Sequence, residues 1–123
     1  AQELSWTCFT FPMQGLRLVV AGEGPAPVRA NFYAVEPIEA AADAAAGCTP
    51  APMGEMLPLA SLPLPVSPLK AVTDMLGAAA PDAAGRLVYN GEFAIEAGVG
   101  LLQIRYRIDR NRAMALSVYR LEL

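Results

Sequence analysis

Cys8 and Cys48 are the only cysteines of this 123-residue chain, and there is no histidine. Without an imidazole the usual general base is missing, as are the Ser-His-Asp and Cys-His arrangements. A zinc site lacks histidine and any close Cys-Cys spacing. Two cysteines forty residues apart suit a disulfide instead, worth roughly 3 to 4 kcal/mol in the chain-entropy account. The competing reading is two separate buried thiols, packing as small hydrophobes. Among the carboxylates, Glu92 and Glu96 share a strand face, and Glu36 and Glu39 flank Pro37. Paired-acid catalysis needs neighbours that drive two pKa values apart, and this spacing supplies none, so these read as solvated charges. Gly22 and Gly24 lack the third glycine and the following helix of a dinucleotide loop. The sequence therefore predicts no catalytic residue, no cofactor and no metal: a protein that is not an enzyme.

Charge singles out one further group. Residues 1–85 hold three basic and eight acidic side chains, whereas 86–123 hold six and four, within a net charge of −3. Arg105, Arg107, Arg110 and Arg112 form a basic cluster near a turn, a candidate contact for an anion or an acidic partner. The plainer reading is a solvated strand face. An acidic pI of about 4.8, one lysine and no interleaved aromatic motif argue against nucleic acid. No run approaches the roughly 18 apolar residues of a membrane span. The opening Ala1-Gln2-Glu3 suits a mature N-terminus left by signal cleavage, and with the disulfide it points to an exported protein, periplasmic, surface-bound or secreted.

The elements that must position these groups are mostly strands. Arg86 to Leu123 reads as a three-strand antiparallel meander. Leu87, Tyr89, Phe93, Ile95 and Ala97 alternate with polar residues, and Ala97 to Gly100 makes a turn. Leu102, Ile104, Tyr106 and Ile108 share the apolar face of the second segment, and Asp109 to Arg112 is a second turn of open type. In the third segment Met114, Leu116 and Val118 take one side, and Arg120 interrupts it. Leu87, Phe93, Ile95, Leu102, Ile104 and Ile108 are the expected core. Tyr33, Tyr89, Tyr106 and Tyr119 read as strand residues with wet hydroxyls.

Upstream, Leu4 to Phe11 is a strand, expected to pair within its own sheet rather than with a neighbouring subunit. Leu16 to Ala21 is a second strand, with Leu16, Leu18 and Val20 on one face. A glycine-proline loop follows from Gly22 to Pro27, then a third strand from Val28 to Glu36. Ile38 to Ala46 is either a short helix capped by Gly47 or an alanine-rich excursion. Prolines 50, 52, 58, 63, 65 and 68 forbid helix and central strand across Thr49 to Pro68, while Leu57, Leu59, Leu62, Leu64 and Val66 make this an apolar strap. Ser67 as N-cap and Pro68 as first residue then open an amphipathic helix at about 68–80, with Leu69, Val72, Met75, Leu76 and Ala79 at helical spacing.

From Asn31-Phe32-Tyr33 through Cys48 to Ser67-Pro68-Leu69 and Met75-Leu76, the chain resembles the GerMN domain of spore-germination and envelope proteins over less than half its length. Its closing meander, with no second helix, departs from that family, and no residue role is carried across.

The sequence thus predicts a single domain, 1–123, of α+β or mainly β class. It has an antiparallel sheet or sheets of about six strands, a C-terminal three-strand meander, one amphipathic helix and a proline-rich strap. Its expected function is non-catalytic: an exported accessory or structural subunit, working through a protein partner or a homo-oligomer. The alternative is a small-molecule or lipid-binding module, with an apolar pocket between helix and sheet.

Overall fold

The computed structural model describes residues 4–23, 30–39, 43–44, 47–51, 62–95 and 98–122. Two three-strand meanders make up one sheet. The first comprises β1 (Leu4–Phe11), β2 (Leu16–Glu23) and β3 (Ala30–Pro37). The second comprises β6 (Arg86–Ile95), β7 (Gly98–Asp109) and β8 (Arg112–Glu122). They join through antiparallel pairing of β3 with β8, from Phe32↔Tyr119 to Val35↔Leu116. Six long antiparallel strands match the expectation. Two short additions refine it: β4 (Thr49–Pro50) runs parallel to β1, and β5 (Ser67–Pro68) pairs with β8 outside the path β4-β1-β2-β3-β8-β7-β6. The sheet is therefore mixed. β1 pairs with β2 of its own chain along its whole length.

Strand alternation sorts the side chains into two faces. On the inner face Leu16, Leu18, Val35, Leu87, Ile104, Tyr106, Leu116 and Val118 are buried in one cluster. The helix α1 (Leu69–Leu76) lays Val72 into that cluster, and Leu62 and Leu64 of the strap pack against it. Leu87 and Ile104 meet the core expectation, while Leu102 and Ile108 pack at its margin. Tyr106 overturns one: it is fully buried, and its hydroxyl donates to the Pro63 carbonyl oxygen at 2.8 Å rather than to water. Tyr89 likewise donates to the Gly77 carbonyl at 2.9 Å. A buried phenol needs such an acceptor, and the two bonds tie strap and helix end to the sheet.

α1 is shorter than expected, because Gly77, at φ 103°, ends it before Ala78. Ser67 does not cap it. Pro68 holds the N-cap position in extended conformation with no side-chain cap, and the Ser67 hydroxyl donates to the Leu64 carbonyl. Sheet pairing explains this: Ser67 and Pro68 face Ala113 and Arg112, and Leu69 N–H donates to Asn111 O at 2.8 Å.

The irregular third segment of the C-terminal meander has a local cause. Arg107 faces Ala115 but Ile108 faces Ala113, so Met114 is the extra residue of a β-bulge. The bulge brings Ala113, not Met114, onto the face of Leu116 and Val118. The turn between β7 and β8 is Arg110-Asn111, with φ of 51° and 60°, both positive as in the two-residue turns that match strand twist. Gly98 and Gly100, expected in a turn, pair with Ile95 and Phe93 as strand residues. Residues 24–29, 40–42, 45–46, 52–61 and 96–97 lie outside the described residues. With them go most of the glycine-proline loop, much of the alanine-rich stretch, the first part of the strap with Leu57 and Leu59, and Ala97. The side chains of Phe93 and Ile95 lie outside the description as well.

Candidate functional site

Between α1 and the sheet the space is filled by Val72, Leu87, Tyr106 and Leu116, all fully buried. The open groove, about 820 Å³, is lined from the opposite, outer face by Ala21, Phe32, Tyr119, Gln103, Arg105 and Leu101, among others.

Register explains why these residues meet. Trp6 pairs with Ala21, Ala21 with Phe32, Phe32 with Tyr119, Tyr119 with Gln103 and Gln103 with Asn90, a single row across six strands. Directly opposed residues share a face, so this row is aromatic at its first and middle positions and amide at its far end. The next row, Cys8, Val19, Ala34, Ser117, Arg105 and Val88, is mostly small, which lowers the floor beside the rings. Trp6 is 55% exposed, Leu101 40% and Tyr119 38%. Phe32 and Tyr119 meet at 4.8 Å between ring centroids, tilted by 53°. The Arg105 guanidinium carbon lies 4.7 Å from the Tyr119 ring centroid, within cation–π range.

A polar chain runs beside the rings. Arg105 Nε donates to Gln103 Oε1 at 2.5 Å, and Gln103 Nε2 donates to Asn90 Oδ1 at 2.9 Å. The direction is dictated by chemistry, since guanidinium can only donate. Gln103 must therefore turn its oxygen to Arg105 and its amide nitrogen to Asn90.

One end of the outer face is closed. The disulfide Cys8–Cys48, with Cα atoms 4.5 Å apart, ties Cys48, just before β4, to β1. Beside it Arg17 donates from Nη1 to Asp43 Oδ1 at 2.7 Å and from Nη2 to Glu36 Oε2. Asp43, only 6% exposed, also accepts Glu39 N–H at 3.1 Å, while Cys48 N–H donates to its backbone oxygen at 3.0 Å. Burial disfavours the Arg17 charge, but hydrogen bonds and attraction from Asp43 and Glu36 outweigh it and raise its pKa. Asp43 and Ala44 are helical and Gly47 adopts φ 69°, as a C-terminal cap would. The disulfide was legible in the sequence, but the Arg17–Asp43 pair was not, because no periodicity relates the two.

The four arginines divide. Arg105 lies on the sheet face against Tyr119, whereas Arg107 is exposed on the same face, opposite Arg86. Arg110 and Arg112 are exposed at the β7–β8 turn beside Ser67–Pro68. Arg86 itself is engaged by Asp82 at 3.3 Å. The outer aromatic row was missed from sequence. Its signal was present, since β2, β3 and β8 carry apolar residues on both faces, the pattern of strands covered on both sides. No helix among the described residues is long and apolar enough to cross a membrane. Compared with known proteins, the chain matches no family model, no curated protein and no solved structure.

Proposed function

We propose that this chain is a non-catalytic, exported contact domain, an accessory or structural subunit that docks a protein partner on the outer face of its sheet. The observation that carries this reading is the row Trp6–Ala21–Phe32–Tyr119, apolar, half-buried at Ala21 and Phe32 and exposed at Trp6 and Tyr119, on a sheet whose other face holds the core cluster. Exposed contiguous aromatic surface is costly in water and is typical of surfaces that meet another molecule. The disulfide supports an oxidising compartment.

The alternative of a small apolar ligand has the groove volume in its favour, within the roughly 300–1,000 Å³ of ligand pockets. Openness weighs against it. A groove spread along a sheet face encloses a small molecule poorly, whereas a protein surface covers it.

Site-specific photo-crosslinking tests the proposal. A photoreactive phenylalanine analogue at Trp6, Tyr119, Met75 or Arg110 is activated in the producing cells. Protein adducts from positions 6 and 119, with none from 75 and 110, are expected. Adducts only at 110 would move the contact to the arginine turn, and lipid-mass adducts at 119 would favour the ligand reading.

A further inference from the structure

The outer groove specifies the chemistry of what it meets, an inference that rests on the contact-face reading above. Its polar groups form a chain with one direction, from Arg105 through Gln103 to Asn90. Each amide oxygen in that chain already holds a proton from its predecessor. Each amide oxygen keeps a second lone pair, but the only charged group the chain offers is a donor, the Nη groups of Arg105, with the amide nitrogen of Asn90 a further donor at the other end. No carboxylate pairs with Arg105 among the described residues, although Asp82, Glu36 and Asp43 all pair with other arginines. The guanidinium is held in place by Tyr119 beneath it and Gln103 beside it. A cation fixed on a ring and short of an anion is a receptor for one, and its planar fork matches a carboxylate in particular.

Around it the lining is mostly apolar, with Phe32, Tyr119, Leu101 and Ala21 beside Asn31 and Arg120. We propose that the groove binds an extended protein segment in which an acidic side chain is flanked by apolar ones. The carboxylate pairs with Arg105, and the neighbouring apolar side chains lie on Phe32, Tyr119 and Leu101. A basic or purely apolar segment fits less well, because the donors would face a like charge or no acceptor. An extended chain is favoured over a free amphiphile because the groove is open along its length.

The test is a titration of the nitrogen-15-labelled full chain, followed by NMR at low salt. The probes are acetyl-Gly-Val-Leu-Glu-Leu-Val-Gly-amide, its twin with Gln in place of Glu, and decanoate. The Glu peptide is expected to shift the backbone amides of Gln103, Arg105 and Tyr119 and the side-chain amide of Asn90. It should bind about tenfold or more tighter than its Gln twin, as a charge-assisted pair implies. Arg105→Met should bring both peptides to equal affinity while leaving inner-face resonances unmoved. Equal affinities in the unaltered chain would overturn carboxylate recognition and leave the contact face standing. Shifts confined to Arg110 and Arg112, or no shifts at all, would remove both. Tighter binding of decanoate than of the Glu peptide would overturn the choice of a protein segment.

Discussion

Tyr106 and Tyr119 lie on neighbouring strands of one sheet and meet opposite fates. Tyr106 is fully buried under the strap with its hydroxyl on Pro63, while Tyr119, 38% exposed, holds an arginine over its ring. Strand chemistry is the same in both places, and coverage differs. Among the described residues the inner face has α1 and the strap, and the outer face has the disulfide and Asp43 at one end. The inner face should therefore carry stability and the outer face recognition.

The largest effect that sharpens this contrast is at the inner face. Leu116→Ala, at a fully buried site, should cost about 2–5 kcal/mol in urea unfolding, through lost burial and the cavity left behind. Removing the disulfide with Cys8→Ala and Cys48→Ala comes next, at roughly 3 kcal/mol by the same assay. It should loosen β1 and the 43–48 segment first, read as faster amide exchange there.

Tyr106→Phe is smaller, about 1–2 kcal/mol, because it strands the Pro63 carbonyl. It also has a pH signature. Burial, with a lesser contribution from Tyr89, holds the Tyr106 phenol well above its ordinary pKa of 10.0. The stability it contributes is complete below about pH 10 and is lost as pH rises from there toward the folded-state value. Urea midpoints of the parent should thus fall between pH 9 and 11.5 more steeply than those of Tyr106→Phe. Equal slopes would mean that the phenol is not buried as described.

The smallest stability effects belong to the outer face. Trp6→Ala and Tyr119→Ala should each change unfolding free energy by less than about 1 kcal/mol, the range of exposed sites. They should still abolish the crosslinks expected from the groove. A loss at Tyr119 as large as at Leu116 would erase the distinction between the faces.

Much of this architecture is readable from residue pattern. The alternation of Leu87, Tyr89 and Leu102, Ile104, Tyr106 dictates their shared face, because successive side chains of a strand point opposite ways whatever lies around them. The Cys8–Cys48 bond and the strand nature of Leu4–Phe11 follow from residue type and spacing. Helix length was less legible, since Ala78 to Ala80 have high propensity and only the backbone turn at Gly77 ends the helix. The Ser67-Pro68 pair reads as a cap in isolation, and sheet pairing with Arg112 and Ala113 gives it another place. The arginine cluster reads as one patch along the sequence. In three dimensions Arg105 parts from the turn, because it sits beside Tyr119 of the next strand.

By itself, the sequence determined the six long strands in outline, most of their apolar faces, the one pair of cysteines a disulfide could join and the absence of an imidazole. These are local or compositional facts, set by the two-residue period of extended chain and by the chemistry of single side chains. Only the tertiary structure decided that β3 pairs with β8, that among the described residues helix and strap pack on the inner face, and that Trp6, Phe32, Tyr119 and Arg105 share the other face. Those depend on register between strands far apart in the chain, and that register is settled by packing the whole sheet.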